Sequence, residues 1–124
     1  MPTKIGAEFD RAVRVLRRIA PPFSLRVVDA LTDSDGNEAS AALEPNKKNG
    51  RWIVLLDSAF ATPTNPKAKN ILIESAIESL MHELAHALCT EKTGYYGNCN
   101  EDWHRSDWGR YYAQIYRTFF EELS

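Results

Sequence analysis

Residues 71–93, which read ILIESAIESLMHELAHALCTEKT, contain the longest helical pattern of the chain. Apolar residues recur in it at steps of three and four positions, and they are Ile73, Ala76, Ile77, Leu80, Leu84 and Leu88. This spacing predicts a helix with one buried face. Gly94 follows the pattern and is suited to end a helix.

The same stretch contains His82-Glu83-Leu84-Ala85-His86, which matches the pattern HExxH. A four-residue step puts both imidazoles on one side of a helix, one turn apart, so that they can bind one ion. The pair lies to one side of the leucine stripe, which predicts that it borders a cleft. Zinc binds imidazole nitrogens, and a catalytic zinc site needs three protein ligands and an open position for water. Glu83 adjoins the first ligand and can act as a general base.

The third ligand is predicted to be His104, because it is the only other histidine in the sequence. It follows His86 by 104 − 86 = 18 positions. The alternative for His104 is an exposed histidine near a helix N-terminus. Carboxylates could also complete the site, or could hold an imidazole in the right tautomer. The nearby acidic residues are Glu101, Asp102 and Asp107. Helix capping is a further interpretation of Asp102.

The rest of the chain predicts an α+β protein with a small sheet. An amphipathic helix is expected over Ala7–Ile19, ended by Pro21 and Pro22. Runs of β-branched and apolar residues predict strands, at residues 23–30, 39–43 and 51–57. The last two strands are expected to form an antiparallel hairpin. Two prolines predict a loop over residues 61–70, and a last helix is expected from residues 104–107 to residue 122.

The composition predicts one globular domain over residues 1–124. Of these 124 residues, 44% are hydrophobic, which is enough for one modest core. The 15 Lys and Arg residues against 17 Asp and Glu give a net charge of -2, so the chain as a whole does not attract polyanions. No apolar stretch approaches the ~20 residues of a membrane-spanning helix, and the N-terminus does not resemble a secretory signal. We therefore expect no membrane contact and a cytoplasmic location.

Several other side chains have both a structural and a functional interpretation. Cys89 and Cys99 could be two ordinary thiols, a local disulfide or accessory metal ligands, and the sequence does not decide. Arg11, Arg14 and Arg18 share one face of the first helix. Together with loop residues Lys47, Lys48, Lys67 and Lys69 they could form a phosphate-binding surface. The alternative is an ordinary solvated helix face. Tyr95, Tyr96 and Trp103 lie in the connection between the predicted ligands, where a phenol could stabilise an oxyanion and an aromatic ring could contact substrate. Ordinary loop anchoring is the alternative for Tyr95 and Tyr96.

The chain resembles the SprT-like zinc metallopeptidases in three features. It has HExxH in a long helix, a further histidine after a short connection, and a following helix with tryptophan, in the sequence His104-Arg105-Ser106-Asp107-Trp108. The resemblance covers nearly the whole chain. It implies a zincin-like minimal metallopeptidase domain with an N-terminal helix, a small three-stranded sheet, the HExxH helix and a C-terminal helix. It also implies His82, His86 and His104 as metal ligands with Glu83 as the base.

The resemblance has further implications for substrate and origin. An edge strand above the cleft pairs with an extended peptide in such folds, and residues 51–57 would have this role. Spartan proteins are eukaryotic relatives that cleave proteins crosslinked to DNA, and they use added DNA-binding segments. We expect no such segments in this chain, so DNA is only a weakly supported partner here. A compact version of the domain is also similar to those encoded by phages and mobile elements.

The expected function is therefore zinc-dependent hydrolysis of peptide bonds in a protein or peptide substrate, with Glu83 as general base. The first alternative is a non-catalytic module in which zinc is structural and the fold binds protein or DNA. A closed site of four ligands, which could include Cys89 or Cys99, would favour that alternative. Hydrolysis of a non-peptide amide is the second alternative. Mn, Co or Ni can occupy similar imidazole sites, and the sequence does not predict the oligomeric state.

Overall fold

The computed structural model describes residues 5–33, 35–44, 46–61, 66–94 and 107–123, without the side chains of residues 61, 66–71 and 107. Within these ranges the protein is α+β, as predicted, and its sheet has three strands. The elements in chain order are α1 (Ala7–Ile19), β1 (Phe23–Val28), β2 (Ala41–Leu43), β3 (Trp52–Asp57), the 3-10 helix Ser58–Ala61, α2 (Pro66–Thr93) and α3 (Asp107–Leu123).

The sheet has the strand order β1-β3-β2, with β3 parallel to β1 and antiparallel to β2. The predicted hairpin between the second and third strands is therefore confirmed. Its turn lies at Asn49 and Gly50, which both have positive φ angles, of 55° and 76°. An Asn-Gly pair favours this turn because both residues adopt positive φ at low cost. Lys48 and Arg51 pair on either side of it through two backbone hydrogen bonds.

The expectation that residues 51–57 form an edge strand is wrong. β3 is hydrogen-bonded to a neighbour on each side, so its backbone groups in the paired region are not available to an extended peptide. β3 is also buried along most of its length, as expected for a central strand. The edge strands of this sheet are β1 and β2.

Helix α2 begins at Pro66, so the predicted loop over residues 61–70 is wrong for its second half. Proline is well tolerated in the first turn of a helix, because its fixed φ suits the helix and its missing N–H would have no partner there. Pro66 was therefore a start signal and not a loop signal. The other end agrees with the prediction: α2 ends at Thr93, and Gly94 has a φ of 77° and donates its N–H to the Thr90 carbonyl at 2.7 Å.

One core lies between the sheet and the helices. Helix α2 packs against α1, β2, β3 and α3, and α3 also contacts α1. The predicted apolar face of α2 is buried, with Leu80 and Leu84 both at 0% exposure. The largest side chains below 2% exposure are Phe9, Phe23, Phe119, Leu16, Leu56, Leu80, Met81, Leu84, Ile115, Val54 and Cys89. In the described part of the chain, no helix is both long enough and apolar enough to cross a membrane.

We predict that Leu80→Ala lowers the free energy of unfolding by about 2–5 kcal/mol, because it removes a fully buried side chain and leaves a cavity. Urea unfolding followed by circular dichroism measures the change. Lys92→Ala is the matched control, since Lys92 is exposed on the same helix and its truncation should change stability by less than about 0.5 kcal/mol. Equal stability losses in the two variants would contradict the central position of α2.

Candidate metal centre

Helix α2 brings His82, Glu83 and His86 together at one point on its surface. The metal-binding atoms of these three side chains all lie within 4.8 Å of one another. The two imidazole rings are 5.2 Å apart between centroids and are inclined by 62°. Their proximity follows from the four-residue step of HExxH, which equals about one helical turn.

This point also contains the buried polar residues of the described chain. Among the residues that the structure describes, Glu83 and His86 are the only polar or charged ones that are buried, at 7% and 8% exposure. His82 is partly exposed. A buried carboxylate or imidazole needs a compensating partner, so such groups in a small protein are concentrated where they have a role. The partly exposed His82 gives this group an opening toward solvent.

Trp108, in the first turn of α3, forms a wall of the site. Its ring centroid is 4.8 Å from that of His82 and 5.4 Å from that of His86. Its indole Nε1–H donates a hydrogen bond to the His82 backbone carbonyl at 3.3 Å. Trp108 thus attaches the start of α3 to the HExxH turn of α2 and restricts the space available to both imidazoles.

Tyr112 lies one turn further along α3. Its ring is 5.2 Å from Trp108 and 6.5 Å from His82, between centroids. Burial, followed by the negative charge of Glu78 and the neighbouring Tyr116, raises the pKa of Tyr112 above its usual value. The phenol therefore stays protonated at neutral pH and keeps an O–H to donate. Neither Trp108 nor Tyr112 was predicted from the sequence to line the site, although their four-residue spacing places both rings on one side of a helix.

The donor set fits a divalent metal of the zinc type. The ligand atoms of the three side chains lie within 4.8 Å of one another, which is the proximity that side chains sharing one ion require. Nitrogen ligands with an adjacent carboxylate are typical of Zn and related transition metals, whereas Mg and Ca prefer all-oxygen sites. His82 and His86 could therefore hold such an ion, with Glu83 beside it.

Most of the remaining predicted site residues lie outside the described part of the chain. These are His104, Glu101, Asp102, Tyr95, Tyr96, Trp103 and Cys99. Asp107 is described as the first residue of α3, but its side chain is not. The roles proposed for all of these residues remain predictions.

Cys89 lies three positions after His86 on α2. It is fully buried and disulfide-bonded. A sulfur atom in a disulfide has no thiolate to offer a metal ion. Of the interpretations open for Cys89, the structure therefore favours the disulfide over the accessory ligand.

Some of the basic side chains singled out in the sequence take part in structural contacts, and the side chains of Lys67 and Lys69 lie outside the described part of the chain. Arg11, Arg14 and Arg18 line a cavity of about 460 Å³ between α1 and the end of α3. Within it, Arg11 donates to the Leu123 carbonyl at 3.4 Å, and Arg18 lies 3.9 Å from Glu122. Lys47 forms an ion pair with Glu91 and lies over the Trp52 ring. A phosphate-binding surface stays a prediction.

No protein-family model matches the chain, and no curated protein or solved structure matches it either.

We predict that the purified protein holds about one zinc ion per chain and that His86→Ala loses most of it, because the substitution removes one of the two clustered imidazoles. Elemental analysis after dialysis against metal-free buffer measures the bound zinc. Lys92→Ala, which is exposed on the same helix, should retain the parent's zinc content. Zinc retention by His86→Ala at the parent's level would rule out this site.

Proposed function

We propose that the protein is a zinc-dependent metallopeptidase, in which His82 and His86 hold the metal ion and Glu83 is the general base. The observation that supports this most strongly is the cluster of two imidazoles and one carboxylate within 4.8 Å, which also contains the two buried polar residues of the described chain. A structural requirement alone does not explain why a small core would bury these groups side by side.

The chemistry assigns a separate task to each group. When bound, a zinc ion would lower the pKa of a coordinated water far below its value in bulk water, to about 7, and would polarise the carbonyl of the substrate. The Glu83 carboxylate takes a proton from the attacking water as the new C–O bond forms. Glu83 then gives the proton to the amide nitrogen as the C–N bond breaks, so that a carboxylic acid and an amine leave. Trp108 excludes water from one side of the imidazoles.

We further propose that His104 is the third ligand and that the protein is related to the SprT-like metallopeptidases. Chain length supports this assignment, because residue 104 precedes Trp108 by only four positions. Four residues span at most about 14 Å. Trp108 is in contact with both rings of the HExxH motif, so His104 is within reach of the metal centre.

The substrate that fits this proposal is a polypeptide. An edge strand can add an extended peptide to the sheet, and β2 is an edge strand that packs against α2. We therefore transfer the substrate-pairing role from residues 51–57 to β2. The Lys47–Glu91 ion pair and the Lys47–Trp52 contact connect the segment after β2 with the second half of α2 and with β3.

Two of the earlier expectations are affected by Cys89. A closed structural zinc site that recruits Cys89 is disfavoured, because that sulfur is in a disulfide. Disulfides persist mainly in oxidising compartments. The disulfide therefore weighs against the cytoplasmic location that we predicted from the N-terminal sequence.

We predict that Glu83→Gln keeps the zinc but lowers the rate of hydrolysis of an unfolded protein substrate by about 10²–10⁴-fold, because the amide cannot take the proton. Zinc content and cleavage of labelled casein are measured on the same preparation. Glu121→Gln, which makes the same change of charge at an exposed position of α3, should cleave as the parent does. Unchanged hydrolysis by Glu83→Gln would show that Glu83 is not the base.

We also predict that His104→Ala weakens zinc binding by at least about 100-fold, since even the loss of a residue that only supports a ligand costs 10–100-fold. Competition with a chelator of known zinc affinity measures the change. Glu101→Gln and Asp102→Asn, tested in parallel, should change the affinity less. If one of these two variants loses zinc and His104→Ala keeps it, the third ligand is that carboxylate.

A further inference from the structure

Four aromatic side chains form a continuous row along α3 that begins at the metal centre. We call this row the aromatic strip, and it consists of Trp108, Tyr112, Tyr116 and Phe120. The centroids of successive rings are 5.2, 6.1 and 4.7 Å apart. A four-residue spacing places all four rings on one side of the helix. The strip therefore leads from the two histidines to the surface of the protein.

The outer half of the strip is unusually exposed. Tyr116 is 44% exposed and Phe120 is 46% exposed, and among the large hydrophobic side chains that the structure describes only Val27 is comparable. Packing of the core does not require these two rings. In the same turns of α3 the core is filled by the side chains of Ile115 and Phe119, which are 2% and 1% exposed. Adjacent exposed aromatic rings next to a polar site are typical of a binding surface.

Acidic residues of α2 border the strip. Glu78 acts electrostatically on Tyr112 and is exposed. Glu74, also exposed, precedes Glu78 by one helical turn and so lies on the same side of α2. The nearest cation on α3 in sequence is Arg117, which points about 100° away from Tyr116 around the helix axis. The surface thus combines aromatic faces with negative charge.

The length of the strip suits an extended peptide. From residue 108 to residue 120 a helix rises by about 18 Å, and an extended chain covers this distance in about five residues. Ammonium and guanidinium groups are attracted both to aromatic faces and to carboxylates. A polypeptide segment with Lys or Arg side chains therefore complements the strip in length, in apolar character and in charge.

We propose that the aromatic strip binds an extended, Lys- or Arg-containing segment of the polypeptide substrate and so directs cleavage to sites next to basic sequence. This inference rests on the proposed peptidase function, because the strip begins at the candidate metal centre. It goes further in assigning the substrate class and the surface that selects it.

A second copy of the chain does not suit this surface. The exposed parts of Tyr116 and Phe120 together offer about 200 Å² on each copy, whereas a stable protein interface buries about 800 Å² per partner. A symmetric dimer through the strip would also bring Glu74 and Glu78 near the same residues of its partner. Repulsion of these like charges opposes such a dimer.

Fluorescence polarisation with two labelled peptides tests the proposal. In one peptide Lys alternates with Leu and Ser, and in the other Glu replaces every Lys. The full chain is used in the Glu83→Gln background, loaded with zinc, so that the peptides are bound and not cleaved. The Lys peptide should bind about tenfold more tightly than the Glu peptide, and added salt should reduce this preference.

Two sets of variants assign the preference to the strip. Tyr116→Ala combined with Phe120→Ala should weaken binding of the Lys peptide by about fivefold or more. Glu74→Gln combined with Glu78→Gln should remove most of the difference between the peptides. The matched controls are Gln114→Ala and Glu121→Gln, which are exposed elsewhere on α3 and should bind both peptides as the background protein does. All substituted side chains are exposed, and thermal melting confirms that each variant is folded.

The outcomes separate this proposal from the proposed function. Equal binding of the two peptides, or unchanged binding by the Tyr116 and Phe120 variant, overturns the strip as a docking surface, whether or not the Glu83-containing protein hydrolyses casein. A dimer in sedimentation that the same variant dissociates also overturns it. Selective binding that depends on the strip, together with no hydrolysis by the Glu83-containing protein, supports the docking surface and overturns the peptidase proposal.

Discussion

The burial of one face of α2 is the constraint on which the rest of the structure depends. Leu84 stands between the two histidines of HExxH in sequence and is fully buried. Each histidine is two positions from Leu84, and two positions correspond to about 200° around a helix. When Leu84 turns into the core, His82 and His86 must therefore turn away from it. The same packing that stabilises the fold thus holds the two imidazoles at the border of the core.

Glu83 has an intermediate position on this helix. It is about 100° from each of its neighbours, so it lies between the solvent side and the core side of α2. Its 7% exposure is consistent with that position. A carboxylate held there is shielded from bulk water, and its electrostatic interactions with nearby groups are stronger than they would be at the surface. This environment suits the proton transfer that we propose for Glu83.

Helix α3 completes the site from the other side. Trp108 donates a hydrogen bond to the backbone carbonyl of His82 and contacts both imidazole rings. The aromatic strip continues from Trp108 along the helix. One helix thus contributes to core packing, to the wall of the candidate metal centre and to the exposed aromatic surface. Their separation follows from helical geometry, because Ile115 and Phe119 face the core while Tyr116 and Phe120 lie at its edge.

The sequence alone predicted the regular elements with strong local signals. The periodic pattern of α1 predicted its bounds, Ala7–Ile19, and the Asn49-Gly50 turn agrees with the predicted hairpin. Where one local signal has two meanings, prediction failed. Pro66 can stand in a loop or in the first turn of a helix, and only the packing of α2 decides between them.

The proximity of the two histidines of HExxH also depends only on local structure, because a four-residue step brings two side chains together on any helix. The sequence by itself therefore determined the α+β class, the position of α2 from residue 71 to its end at Thr93, and the pairing of His82 with His86. Tertiary structure decided that β3 is the central strand, that Trp108 covers the histidines, and that Tyr116 and Phe120 remain exposed. These features depend on contacts between residues far apart in the chain, and local periodicity contains no information on which distant surfaces meet.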